Sequence, residues 1–147
     1  MVNVLDKVQP KNKKQLKQLI DYAFKHNIYD LNFIDTSKIT DMSNLFINCE
    51  YDIDVSNWDV SNVTNMSAMF YCCLNFDCDL SNWNVSNMTN MHALFCECNK
   101  FTGKGLEHWD VSNATNMAGM FVGCENFNCD LSYWDVSNVT DMDNMFV

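Results

Sequence analysis

Eight cysteines and a set of regularly spaced acidic residues are the side chains of this chain that could do chemistry. Thiolates attack electrophiles, form disulfides and bind zinc. Aligned carboxylates attract hard cations or basic partners. Cys49, Cys73, Cys98 and Cys124 each lie three residues after Phe46, Phe70, Phe95 and Phe121, while Cys78 and Cys129 lie five residues before Trp83 and Trp134. Cys72 and Cys96 fall outside both columns. The spacing argues against zinc. No CxxC pair matches another, Cys96-Glu97-Cys98 and Cys72-Cys73 are poor tetrahedral donors, and His26, His92 and His108 occupy unrelated positions. Equivalent residues stacked ~4.8 Å apart would make the main column a ladder of buried thiols that pack like small hydrophobes. That spacing is also near the range of a disulfide.

Asp35, Asp59, Asp110 and Asp135, with Asn84 interrupting, form an acidic column expected to face solvent, and Asp54, Asp79 and Asp130 form a second. Calcium between coils is one reading of such columns. The other is turns built from Asp, Ser and Asn side chains bonding their own backbone, which the scarcity of glycine (4) favours. Ser61, Ser86, Ser112 and Ser137 share one position with no His or Cys partner in register, so no nucleophile is expected there. The methionines, Met66 and Met69 among them, read as core filler. The tryptophans read as core as well, with a sugar-stacking platform as the alternative. No acid/base or nucleophile constellation stands outside the repeat register, so a non-enzymatic protein without a cofactor is expected.

These side chains are positioned by a repeat. WDVSNVTNMSAMF begins at Trp58, WNVSNMTNMHALF at Trp83, WDVSNATNMAGMF at Trp109 and WDVSNVTDMDNMF at Trp134, with a tryptophan-less copy, IDTSKITDMSNLF, at Ile34. The starts are 24, 25, 26 and 25 residues apart. A fixed period of this kind means coils that stack to share one core. Within each, Trp58-Asp59-Val60 alternates as a short strand would. Met66, Met69 and Phe70 are spaced for one turn of helix, with Thr64 placed to cap it. Residues 1–33 lie outside the repeat and are expected to cap residues 34–147. Lys11 to Phe24 carries an apolar stripe of Leu16, Leu19, Ile20, Ala23 and Phe24 behind Pro10, and Ile28 to Ile34 is apolar enough for a first strand.

Charge narrows the partners. All nine cations are lysine, against nineteen acids; residues 1–33 sum to +3 and residues 34–147 to −13. Such a surface repels nucleic acid and anionic membranes. It favours a basic protein partner, and the outward residues Asp59, Asn84, Asp110 and Asp135 are the candidates to meet it. No run reaches the ~20 apolar residues of a spanning helix, and the first residues lack the apolar stretch of a signal peptide. A cytoplasmic protein or a segment of an exported one would both read this way. The last repeat phrase ends at Phe146-Val147, so self-association through an uncovered final coil is also expected.

The phrase W-D-V-S-N-V-T-N-M-x-x-M-F, with F-x-x-C-x-x-F after it (Phe70 to Phe76, Phe121 to Phe127), resembles the repeats of bacterial BspA-like surface proteins and mycoplasma-type lipoproteins, divergent relatives of leucine-rich repeats. The resemblance implies an α/β, right-handed, leucine-rich-repeat-like solenoid of about five coils. Each would hold a short strand and a short helical turn, behind an N-terminal capping helix. It also implies adhesion to host proteins or cells from the cell surface. An intracellular scaffold or a carbohydrate-binding surface are the alternatives.

Overall fold

A computed structural model describes residues 7–147. Helix α1 spans Lys13–Lys25, two residues later than the sequence suggests at its start. Asn12 sets that start: its side chain accepts the Gln15 N–H at 3.0 Å, while the Gln15 side chain accepts the Lys11 N–H at 2.8 Å, satisfying donors a helix leaves open. Asn27, in the left-handed region at φ 57°, ends it. The N–H of Asn27 then returns to Phe24 and that of Ile28 to Ala23, which closes the last turn. Leu16, Ile20 and Ala23 are fully buried against the first coil.

The repeats stack in register, but they are not made of strands and helices. Among the described residues α1 is the one α-helix, with a single 3-10 turn at Leu106–His108. Extended pairing is confined to isolated parallel bridges, which link Asp41, Asn65, Asn90, Asn116 and Asp141 in series. The strand expected at each tryptophan is absent, and so is the helical turn expected at each Met-x-x-Met-Phe. Ile28 to Ile34 also forms no strand, only bridges at Asp30 and Ile34. The α/β leucine-rich-repeat-like solenoid is therefore the wrong description of these coils.

What replaces it is a division of the backbone's hydrogen bonds. In the second repeat the N–H groups of Met66, Ala68, Phe70 and Cys72 donate to the next coil, at the carbonyls of Asn90, His92, Leu94 and Cys96, over 2.8–3.0 Å. The intervening N–H groups of Met69, Tyr71 and Cys73 turn inward to the carbonyls three residues back, at Met66, Ala68 and Phe70. Alternate peptides thus serve the stack and the local turn, so few buried polar groups go unpaired. Ala68 and Cys72 have φ of 52° and 57°, the sign a type II turn needs at its third residue. A left-handed residue at every fourth position rules out helix.

The coils enclose columns of identical side chains. Phe46, Phe70, Phe95 and Phe121 stack with ring centroids 5.5, 5.7 and 5.9 Å apart. Trp83, Trp109 and Trp134 stack at 6.2 and 6.5 Å. Each indole N–H donates to a carbonyl of the preceding coil: Trp58 to Leu31, Trp83 to Val55, Trp109 to Leu80, Trp134 to Leu106. With the tryptophans 2–9% exposed, their faces offer no platform for sugars.

Candidate functional site

Asp59, Asn84, Asp110 and Asp135 lie on the outside of successive coils and all four are exposed. Their alignment follows from the turn each one builds. Oδ1 accepts the N–H of the residue two ahead, Ser61, Ser86, Ser112 or Ser137, at 3.0–3.1 Å. In the first three it also accepts the serine hydroxyl at 2.6–2.7 Å. This is the Asx turn, in which a side chain imitates the backbone. There the serine hydroxyl donates to the same oxygen as the serine N–H and so closes the turn. Ser112 holds the Asp110 carboxyl below its ordinary range, first through its hydroxyl and then through its N–H, and Ser137 lowers Asp135 in the same direction. Both stay ionised at neutral pH, and Asp135 opposes the shift at Asp110 through like charge.

The second acidic set works the same way. Asp54, Asp79 and Asp130 accept the N–H of Ser56, Ser81 and Ser132 at 2.9–3.0 Å. Asp79 is held lowest, at about 2, first by the Ser81 backbone and side chain and then by Lys104, whose Nζ is 3.0 Å away. A carboxyl depressed on folding stabilises the fold above its unfolded pKa of ~4, and that share is lost as pH falls toward 2. Thermal melts at pH 5, 3 and 2 should show this fall. It should be shallower in Asp79→Asn, which keeps the turn acceptor and removes the charge; an identical fall would contradict the assignment. Because every Oδ1 in these columns already accepts an N–H, the carboxylates do not converge. Among the described residues no three His, Cys, Asp or Glu side chains could hold a metal ion.

Two further columns complete the outer face, and the sequence reading missed both. Asn62, Asn87, Asn113 and Asn138 each donate Nδ2 to the preceding coil, at the carbonyls of Ser37, Ser61, Ser86 and Ser112, over 2.7–2.8 Å. Thr64, Thr89, Thr115 and Thr140 donate Oγ1 to the carbonyls of Thr40, Thr64, Thr89 and Thr115. Thr64 therefore caps no helix. The recurring Asn-x-Thr was the available signal. These bonds spend the side-chain donors inside the protein and leave the outer face rich in acceptors and negative charge.

The cysteines are all free thiols. Cys73, Cys98 and Cys124 donate Sγ–H to the carbonyls of Phe46, Phe70 and Phe95, each at 2.9 Å. Burial pushes Cys124 and Cys78 up to about 12, so both keep their protons at neutral pH. The longest repeat departs from the pattern. The third repeat is 26 residues long, and its extra residue falls in Thr102-Gly103-Lys104-Gly105, where Glu107 takes over the turn role by accepting the Gly105 N–H at 3.0 Å. An open groove of about 580 Å³ lies there, lined by Lys100, Lys104, Glu107, Asn128 and Asp130 among others.

The pattern of one family, described as Mycoplasma protein of unknown function, DUF285, matches residues 14–107 and again 82–147. Neither curated proteins nor solved structures yield a match to the chain.

Proposed function

The chain belongs to the Mycoplasma family of unknown function DUF285, and we propose that it is a non-enzymatic module that binds a basic protein partner through its acidic turn face. The supporting observation is the exposed column of Asp59, Asn84, Asp110 and Asp135, whose Oδ1 atoms each accept a turn N–H and whose three carboxylates face solvent. Such a partner is steered by long-range attraction that salt screens. The neighbouring Asn and Thr columns have already donated to carbonyls, so the partner must bring the donors, as lysine and arginine do. In this reading the repeats resemble those of BspA-like surface proteins, and the module works in adhesion at the bacterial surface. Fold alone assigns no function, and the acidic face is what supports this reading. No helix among the described residues is long and apolar enough to cross a membrane.

Asn84 supplies the control for the test. It makes the same turn as its aspartate neighbours, accepting Ser86 N–H at 3.1 Å and Oγ at 2.7 Å. The variant Asp59→Asn/Asp110→Asn/Asp135→Asn should therefore keep the turns and lose three charges. Wild type is expected to capture a basic protein from a pool of host or extracellular proteins, more weakly as salt rises. The variant should bind roughly tenfold less tightly, as when charges that steer association are removed, with Tm within about 2 °C. Unchanged affinity in the variant would sink the proposal. One observation favours a second reading, an intracellular scaffold: eight free thiols suit a reducing compartment. Capture of a basic partner from the cell's own lysate alone would select it.

A further inference from the structure

We propose that the face of the coil formed by residues 131–147 binds a segment of another polypeptide that carries the phrase Trp-x-x-x-Asn-x-Thr-x-Met, added in trans as one more coil. Each inner coil offers its follower a fixed set of bonding groups. In the coil before this one, the N–H groups of Met117, Gly119 and Phe121 donate to the carbonyls of Asp141, Asp143 and Met145 at 2.8–2.9 Å. Its carbonyls accept in return. Leu106 takes the Trp134 indole N–H, Ser112 the Asn138 amide and Thr115 the Thr140 N–H, at 2.7–2.9 Å.

The coil of residues 131–147 carries the same set, and no described residue pairs with it. Met142, Asn144 and Phe146 stand where Met117, Gly119 and Phe121 do, and their N–H groups meet no backbone acceptor. The carbonyls of Leu131, Ser137 and Thr140 stand where those of Leu106, Ser112 and Thr115 do. They receive no indole, carboxamide or threonine donor from another coil. Val136, Met142 and Phe146 are exposed, where Val111, Met117 and Phe121 are buried. Beside them lies an open groove of about 320 Å³ lined by Phe121, Phe127, Phe146 and Val147 among others. Backbone donors at alternate residues hold an added segment, and the side chains it must place give specificity. Here the fitting segment supplies carbonyls to the three N–H groups, an indole, a carboxamide and a threonine to the three carbonyls, and an aromatic ring to cover Phe146.

A second copy of this chain does not offer that set. Its inner coils are already paired with one another. Its first coil has Ile34 and Lys38 where later coils have tryptophan and asparagine. Helix α1 also lies over that coil, with Lys13 Nζ 2.7 Å from Ser43 Oγ and 3.3 Å from Asp41 Oδ1. Two 131–147 coils set face to face would oppose N–H to N–H. They would also bring together Glu125, Asp130, Asp135, Asp141 and Asp143 of each copy, with no lysine among residues 125–147, and facing like charges repel.

The probe is a fluorescein-labelled peptide with the sequence of residues 109–123, blocked at both ends, which holds every required group and no cysteine. Titrated with the whole chain and followed by anisotropy, it should bind saturably, one to one. Amide exchange at Met142, Asn144 and Phe146 should slow on binding. Phe146→Ala removes an exposed ring, so the chain should stay folded and bind the peptide roughly tenfold less tightly. A Trp109→Phe peptide should lose a similar roughly tenfold, because it covers the Leu131 carbonyl without giving it a donor. The peptide has one acid, Asp110, and no cation. The Asp59→Asn/Asp110→Asn/Asp135→Asn chain should therefore bind it at least as tightly as wild type, which separates this site from the acidic face. No saturable binding, equal affinity in Phe146→Ala, or a loss in the triple variant would overturn the proposal. So would concentration-dependent sedimentation of the chain alone that Phe146→Ala abolishes, since the face would then belong to a second copy.

Discussion

Phe95→Ala is expected to remove about 3–5 kcal/mol, the cost of emptying a large buried aromatic site, and to split a single unfolding transition into two. Phe95 is fully buried and touches rings on every side: Phe101 at 4.1 Å, Phe70 at 5.7 Å, Phe121 at 5.9 Å, and Trp109 at 6.2 Å. Each well-placed aromatic pair adds about 0.5–1.5 kcal/mol beyond area burial. In a stack each repeat gains stability only from its neighbours, so a hole in the third repeat uncouples those on either side. Urea unfolding followed by tryptophan fluorescence checks this, because Trp58 reports one side and Trp134 the other. Phe146→Ala is the comparison. That ring belongs to the same column, 5.3 Å from Phe121, but is 61% exposed, so its loss should cost under about 1 kcal/mol. Equal costs at the two positions would mean that stacking is not what holds the coils.

The direction of the side chains in the inner repeats was legible in the sequence. In the last repeat Met142 and Val136, read as core, are exposed, and the backbone that aims these side chains was not legible. Trp58 and Val60 point inward at 2% and 1% exposure, with Asp59 outward between them, as alternation requires. Met66, Met69 and Phe70 are fully buried, as their spacing requires. That spacing suits two linked β-turns as well as one turn of helix, and the decision rests on Ala68 at φ 52°. Alanine seldom adopts that conformation, so the second repeat read alone points to helix. The signal lies across repeats: the position holds Asn44, Ala68, Ala93, Gly119 and Asn144, and Asn and Gly are the residues that tolerate positive φ. The bonds between coils outweigh the strain of the alanine copies. At the candidate site, the Asp-x-Ser spacing foretold both the outward column and the turn. The inter-coil reach of Asn62 and Thr64 was hidden, because their partners are carbonyls 24–25 residues away.

Gly105→Ala should lower stability by at least ~3 kcal/mol, from backbone strain and overpacking together. That corresponds to roughly 10 °C in Tm for a chain of this size. Gly119→Ala should change stability by less than about 1 kcal/mol. Both glycines have positive φ, 94° and 64°, so conformation alone does not separate them; what a methyl group would meet does. At Gly119 the nearest atom is Val122 Cγ2 at 3.8 Å, an ordinary contact, and Ala68 and Ala93 already occupy the equivalent position at φ 52° and 51°. At Gly105 a Cβ would lie 2.2 Å from the Ser81 nitrogen and 2.7 Å from the Leu80 carbonyl carbon. Backbone cannot swing aside as a side chain can. Relief would require opening the bond from Leu80 N–H to Lys104 O, at 3.0 Å, and with it the Lys104–Asp79 pair. The longest repeat therefore fits the stack because the preceding coil's backbone passes where a side chain would stand. Thermal melts of the two variants side by side test this. A similar loss in both would place the cost in φ, and the close approach of the coils would no longer explain this glycine.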